Sequence, residues 1–271
     1  MVRPERVDTH ACTCQDLLGT IDRHRPDDPR LAPIRDALTQ PDALRSHYQP
    51  IVDLVAGEVV GFEALLRLTG PDGVVPPGEL FALAAEGGWS QALDQVARRT
   101  AIEGARGWLG GRSLFVNFVP SSIYDPRVCL RTTEEAARIA GIGMEQLVFE
   151  VIETEHIRDV PHLRDIFARY HEMGARVALD DLGSGHASLA VAAELEPDVI
   201  KLDGAVVRAA PTTAEARAFI TDAVRFARAT DSTVLAEGIE EPAQADLARE
   251  LGVDLGQGWH FGRPVPTPAP R

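Results

Sequence analysis

Seven short apolar runs in this chain each carry a polar side chain within them or just beyond. EVVGFEALLRL holds Glu63, SLFVNFV holds Asn117 and LVFEVIE holds Glu150. RVALDDL carries Asp180 and Asp181, VIKLD carries Lys201 and Asp203, TVLAEGI carries Glu237, and the short segment 257–261 opens on Gln257. A buried carboxylate without a partner is costly, so acids in such runs call for a use. Gathered in one place, Glu63, Glu150, Asp180, Asp181 and Glu237 repel one another and lose hydration, so they must take up protons or cations. Carboxylate and amide oxygens, with no Cys or His among them, select hard divalent ions such as Mg2+ or Mn2+. Asp180 and Asp181 are the strongest element. Successive strand residues point to opposite sides unless the chain turns. DDLGSG turns at once through Gly183 and Gly185, so both carboxylates can reach a pair of ions about 3.5–4 Å apart. A two-ion centre of that kind activates water and steadies the leaving oxygen of a phosphodiester. Lys201 brings a cation to these run ends. It orients the attacking water or neutralises phosphate charge, or it pairs internally with Asp203 or Glu237; the two roles are compatible.

The elements that must position these groups alternate between β-rich and helical. HYQPIVDL and EVVGFEALLRL are separated by Ala56 and Gly57, a gap too short for a crossover, which predicts a hairpin. Between the later runs lie ELFALAAEGGWSQALDQVARRTAIEGARGWL, TTEEAARIAGI, HLRDIFARYHEMG and AEARAFITDAVRFARAT, where apolar residues recur at helical spacing. Gly174 ends the third of these, and TTEE and EEPAQADLARELG place acids in a first helical turn. The later strands are almost continuously apolar, which suits a parallel sheet covered by helices. Roughly seven βα units favour a closed (β/α) barrel over an open doubly wound sheet. No GxGxxG follows any strand, against a dinucleotide-binding fold. In a closed parallel barrel every strand's C-terminal end faces one mouth, and residues far apart in sequence meet there.

Bulk properties narrow the partners. The 271 residues carry 27 Lys and Arg against 41 Asp and Glu, a net charge of −14, which argues against binding a nucleic-acid polymer by diffuse electrostatics. An anionic ligand then needs local positive charge, and a bound cation is one source. No apolar run is long enough for a membrane span and the N-terminus lacks a signal-peptide core, so the expectation is a soluble cytoplasmic protein. Cys12, Cys14 and Cys129 make no disulfide framework. His10, Cys12 and Cys14 look like half a zinc site with no second cluster to complete it, and a mobile, reduced tail is expected there. Residues 1–44 read as a leader or short helical stub, with DPRLAPIRDALTQ as its helix. The barrel is expected over 45–266, and 267–271 end a Pro-rich tail.

GFEALLR, LFVNFVP, LVFEVIETE, VALDDLGSG, VIKLD, LAEGIEE and GQGWHFGRP, in that order over residues 47–266, resemble the successive motifs of the EAL-domain family, the cyclic di-GMP phosphodiesterases. The resemblance implies an α/β fold, a modified TIM (β/α)8-type barrel with one antiparallel strand. It implies metal-dependent hydrolysis of cyclic di-GMP to linear 5′-pGpG, lowering this second messenger. Matched motif by motif, Glu63, Asn117, Glu150, Asp180, Asp181 and Glu237 resemble the metal ligands, with Asp181 the second carboxylate of the bridging pair. Lys201 matches the lysine that contacts the nucleophilic water, Glu237 also helps to activate that water, and Gln257 matches the glutamine near it. Gln49, Leu66 and Arg67 resemble residues that hold the dinucleotide, Arg67 by pairing with a phosphate. Asp203 and Glu240 stand behind them. Glu153 resembles the anchor of the loop that contains Gly183, Ser184 and Gly185, which in the family couples metal binding to dimerisation, so a homodimer is implied. Two Mg2+ or Mn2+ ions are expected, and Ca2+ is expected to inhibit because its coordination is looser than catalysis needs.

The departures are mild. Leu182 stands where Phe is common, Ser184 where Thr is, His186 where Tyr or Phe is, and Trp259 where Tyr is usual. NFVPSSIYDP and CLRTTEEAARIAG resemble a branch found beside light-sensing domains, which makes Cys129 a packing residue. Family members that lack an acid or the lysine act as non-catalytic cyclic di-GMP receptors or protein-interaction modules. The complete set here points to hydrolysis. A barrel lyase of enolase type also sets acids and a lysine on strand ends, but without this order of motifs.

Overall fold

The computed structural model describes residues 29–40, 43–70, 73–151, 159–183 and 188–268. His10, Cys12, Cys14, Glu153, Ser184, Gly185 and His186 lie outside the described residues. The strands are β1 (Leu44–Asp53), β2 (Val59–Gly70), β3 (Gly73–Val75), β4 (Ser113–Phe118), β5 (Leu147–Val151), β6 (Arg176–Leu182), β7 (Val199–Leu202), β8 (Thr233–Ala236) and β9 (Leu255–Gln257). They pair in the order β1-β9-β8-β7-β6-β5-β4-β2, and β1 returns to β2, which closes a barrel of eight strands with β3 hanging on the edge of β2. β1 is antiparallel to both its neighbours, and the pairs from β2 through β4 to β9 are parallel. The predicted hairpin joins β1 and β2. Asp53 Oδ1 accepts from the N–H groups of Val55 and Ala56 at 2.8 Å each, and Gly57 takes the left-handed φ of 70° that lets the chain reverse.

A period of two explains why the polar groups converge. Ile51, Phe115, Val148, Ala178, Val199 and Leu235 form an apolar floor inside the barrel, with Leu255 packed against it. Strand side chains alternate between faces, so the next inward position toward the mouth lies two residues on. Those positions are Asn117, Glu150, Asp180, Lys201, Glu237 and Gln257, and, because β1 runs the other way, Gln49. Glu63 stands directly opposite Gln49 in the β1–β2 register. The outward positions pack under helices. Phe149 stacks on Tyr170 of the helix Val160–Glu172 with centroids 4.0 Å apart, and Phe118 meets the same ring edge-on. Each such buried side chain contributes about 1.5–3 kcal/mol, so both faces of the strands are held.

Two features differ from the sequence reading. The long segment after β3 forms two helices, Pro77–Gly87 and Ser90–Gly104, because Gly88 adopts φ 74° and the buried Trp89 starts a new direction. The short helix Ala32–Thr39, read as part of a leader, is packed against the barrel. Its Ile34 and Ala37, with Leu31 just before, join Leu44, Leu66, Leu68, Leu80, Ala84 and Trp89 in one buried cluster. An eight-residue helix is marginal alone, and this burial holds it. At the other end Val265 exchanges two backbone hydrogen bonds with Tyr48, at 2.8 and 3.1 Å, tying the chain back onto β1. Cys129 is buried in the main core. Among the described residues no helix is long and apolar enough to cross a membrane.

Candidate active site and metal centre

Lys201 is the hub. Its strand β7 is buried at all four positions, and the lysine itself is fully buried. Four carboxylates surround it: Glu237 Oε1 at 2.6 Å, Glu150 Oε2 at 3.0 Å, Asp180 Oδ2 at 3.1 Å and Glu63 Oε2 at 4.0 Å. Burial alone would strip the proton from the lysine. The carboxylates of Asp180, Glu150, Glu237 and Glu63 outweigh that and hold it on, well above the ordinary lysine range. The sequence left Asp203 and Glu237 open as its internal partner. Glu237 is the partner, and Asp203 instead caps the helix Gly204–Ala209, accepting from Ala205 N–H at 2.6 Å.

One cation does not neutralise this many acids. Burial pushes Glu150 well above the carboxylate range, with Lys201 opposing and the neighbouring acids adding to the rise. Burial likewise raises Asp180, and raises Asp181 with help from Asp180 beside it. Glu237 is pushed up to about 8, first by burial and then by Asp180. Glu63 differs. Burial would raise it, but Lys201 and hydrogen bonds from Gln257 and Asn117 bring it below the usual value. Asn117 Nδ2 donates to Glu63 Oε1 at 3.0 Å and Gln257 Nε2 donates to Glu63 Oε2 at 2.6 Å. Gln257 Nε2 also reaches Gln49 Oε1 at 3.3 Å, and Gln49 Nε2 donates to the Gly262 carbonyl at 3.1 Å. The amides thus hold Glu63 and leave it charged.

The Asp pair is aligned by the backbone. Asp181 has φ 55°, a left-handed conformation that Asp tolerates better than most side chains, and the β6–β7 register shifts between Leu179 and Leu182. This bulge cancels the usual alternation, so two successive carboxylates face one side. Asp181 N–H donates to Asp180 Oδ1 at 2.8 Å and fixes the first carboxylate. Gly183 follows at φ 103°, where a Cβ would stand 2.7 Å from the Val206 side chain. Asp180, Asp181 and Glu237 each bring a carboxylate oxygen within 4.8 Å of the others. Glu150 Oε1, fully buried, finds no hydrogen-bond partner among the described residues. An orphaned buried carboxylate oxygen beside three converging acids fits a hard divalent cation.

The mouth above is a cleft of about 370 Å³ lined by Gln49, Glu63, Leu65, Asp180, Glu237 and Gln257, with Gly238, Glu240, Gly258 and Trp259 on its rim. Leu66 is not in it. Glu63 faces the cleft, so Leu65 two residues on does too, while Leu66 points outward into the cluster that holds the helix Ala32–Thr39. Arg67, half-buried, donates from Nη1 to the Leu66 carbonyl at 2.8 Å. Glu240 is exposed, and its N–H is held by Gln244 Oε1 at 2.8 Å. Sequence reasoning did not assign Leu65, Trp259 or Arg263 to the site. Trp259 is 56% exposed, with the Arg263 guanidinium 4.3 Å above its ring. The strand period from Glu63 identifies Leu65, whereas the stacking of Arg263 leaves no local signal. Gly258 is obligatory, since a Cβ there would stand 2.0 Å from the Ile239 carbonyl oxygen.

Comparisons with known proteins bear on this arrangement. A family model described as "EAL domain" matches residues 32–264. The "Cyclic di-GMP phosphodiesterase NbdA" of Pseudomonas aeruginosa is 31% identical over 241 residues, covering 87% of this chain and 30% of that protein. The Klebsiella pneumoniae protein BlrP1, solved as a calcium/cyclic di-GMP complex, is 30% identical with a TM-score of 0.76, covering 84% of this chain and 57% of that one. Its manganese/cyclic di-GMP complex is similar with a TM-score of 0.75, at 30% identity over 83% of this chain and 56% of that one. The chain spans only 28–45% of the length of the curated relatives it matches first. The match covers the whole barrel, from the helix packed on β2 to Pro264, and the chain belongs to the EAL domain family.

Proposed function

We propose that this chain hydrolyses one phosphodiester of cyclic di-GMP, giving linear 5′-pGpG, with two Mg2+ or Mn2+ ions held by Glu63, Asn117, Glu150, Asp180, Asp181 and Glu237. The observation that carries this reading is the meeting of four carboxylates on one buried ammonium beneath an open cleft, with Glu150 Oε1 left unpartnered among the described residues. Similarity to proteins solved with cyclic di-GMP and a divalent ion supports it. When bound, ions held by these residues would supply an activated water and would offset charge on the reacting phosphoryl oxygens. Lys201 keeps its proton and holds Glu150, Asp180 and Glu237 together with its three N–H groups; once ions share the carboxylate charge, one of those N–H groups turns to the attacking water. Glu237 takes up the proton that the water gives up and returns it to the leaving ribose oxygen as the P–O bond breaks. Arg67 offers its guanidinium to a phosphate, and Gln49 and Gln257 set the height of the ligand above Glu63. Leu65 and Trp259 offer apolar faces to the bases. The active form is a cytoplasmic homodimer, and Ca2+ inhibits.

Purified protein incubated with cyclic di-GMP and Mn2+ should yield pGpG, separable by chromatography, and Glu63→Ala or Lys201→Ala should stop it. Replacing Mn2+ with Ca2+ should suppress turnover. Binding of cyclic di-GMP without turnover would assign the chain to the receptors instead, and absence of both binding and turnover refutes both readings.

A further inference from the structure

A second buried charge pair lies outside the mouth, and hydrolysis as described makes no use of it. Asp94 and Arg98 sit one helical turn apart on the helix Ser90–Gly104, with side chains 1% and 2% exposed. Arg98 Nε and Nη2 both donate to Asp94 Oδ2, at 3.0 and 2.8 Å, and Arg98 Nη1 donates to Thr133 Oγ1 of the helix Arg131–Ala140. A buried ion pair rarely stabilises a fold more than apolar side chains of the same volume would, so stability alone does not account for this one. The other oxygen of Asp94 points elsewhere. Oδ1 accepts from the backbone N–H of Val119 at 2.9 Å.

Val119 is the first residue past β4, where the chain leaves the sheet and turns into the 3-10 segment Pro120–Ser122. Two residues earlier Asn117 donates to Glu63 Oε1 at 3.0 Å. We propose that Asp94 is a positioning residue for the metal centre: its Oδ1 holds the end of β4 through Val119 N–H, and that grip keeps the Asn117 amide on Glu63. Arg98 and Thr133 are the brace that keeps Asp94 in place. The proposal rests on the reading of Asn117 and Glu63 as ligands, and deepens it.

The test compares two charge-free replacements that differ in one acceptor. Asp94→Leu with Arg98→Met removes the pair and the acceptor, while Asp94→Asn with Arg98→Met removes the charges and keeps an oxygen for Val119 N–H. In 15N-labelled protein with EDTA, the Asn117 side-chain amide signals are assigned by their loss in Asn117→Asp. The Leu/Met variant should fold but shift those signals to those of a solvated amide, and should weaken Mn2+ binding by calorimetry by about tenfold or more. The Asn/Met variant should restore both. A folded Leu/Met variant with Asn117 unmoved overturns the proposal. Should that variant not fold, Asp94→Asn with Arg98 kept decides: its single amide oxygen is drawn to the guanidinium and its NH2 turns toward Val119 N–H, so a shifted Asn117 supports the proposal and an unmoved one overturns it. If Asn117 shifts as expected while wild type takes up no Mn2+, the positioning stands and the metal-centre reading fails.

Discussion

Without divalent ions the acidic mouth makes the fold sensitive to pH, and Glu237 sets the scale. Burial and repulsion from Asp180 outweigh Lys201 and raise this carboxyl from 4.5 to about 8 in the folded chain. A carboxyl raised on folding binds more protons folded than unfolded, so stability falls as pH climbs between the two values. In EDTA the wild-type protein should therefore lose stability from pH 4.5 to about 8. At about 1.4 kcal/mol per pH unit that interval caps the loss from this one group at about 5 kcal/mol, a large part of a typical stability of roughly 5–15 kcal/mol. Glu150, Asp180 and Asp181 are raised too and act in the same direction. Glu63 is lowered, so its contribution is already complete above 4.5, and Lys201 keeps its proton throughout. His47 opposes the trend below 6.5, since burial and Arg67 lower it and it regains stability as pH rises. Urea unfolding in EDTA across this range, for wild type and Glu237→Gln, isolates the effect. The variant lacks the titrating group, so its profile should be flatter and should gain on wild type steadily with pH. Added Mn2+ should rescue wild type most at the alkaline end, because ions and protons compete for the same oxygens. Parallel profiles for the two proteins would refute the reasoning.

Lys201→Met leaves Glu150, Asp180 and Glu237 without their shared cation. Breaking a buried pair costs about 3–5 kcal/mol, so the melting temperature in EDTA should drop and Mn2+ should recover part of it; an unchanged melting temperature contradicts the hub. Leu66→Ala should lower stability by about 2–5 kcal/mol in urea titrations and leave dinucleotide affinity intact. Leu65→Ala should do the reverse, and a loss of affinity on the Leu66 change would return that residue to the cleft. Trp259→Ala should barely alter stability and should weaken cyclic di-GMP binding by about 1–3 kcal/mol, the range for a base on an aromatic platform. Calorimetry showing equal affinity would remove Trp259 from the site.

Much of the barrel is readable from the chain because β4 to β9 repeat one rule: an inward apolar residue, then a polar one two positions later. Phe115 and Asn117, Val148 and Glu150, and Val199 and Lys201 all follow it. The Ala56–Gly57 turn is readable for a local reason, the shortness of the gap. What escapes is whatever depends on a single torsion angle or a distant neighbour. Glycines after Asp181 announce a turn, but nothing local places the left-handed residue at Asp181 itself. Asp94 and Arg98, four apart on a helix, look like an ordinary solvated pair until Thr133 and Val119 close over them. The motif resemblance points Leu66 at the ligand, while the strand period in the same seven letters puts Leu65 on the face of Glu63 and Leu66 in the outer cluster. Gly87 and Gly88 inside a helical pattern are tolerated often enough that the break before Trp89 shows only in three dimensions.

The bulge at Asp181 carries a consequence for change at this site. What brings the two acids together is stored in torsion angles, not in the reach of either side chain. Asn, at home in the left-handed region, would preserve the geometry while deleting a charge. Val or Ile, which shun that region, would let β6 relax into plain alternation and swing one neighbour of the pair away from the mouth. A substitution here is therefore judged first by the main chain and only afterwards by the ion, so that a residue with no carboxylate at all can leave the architecture of the centre standing.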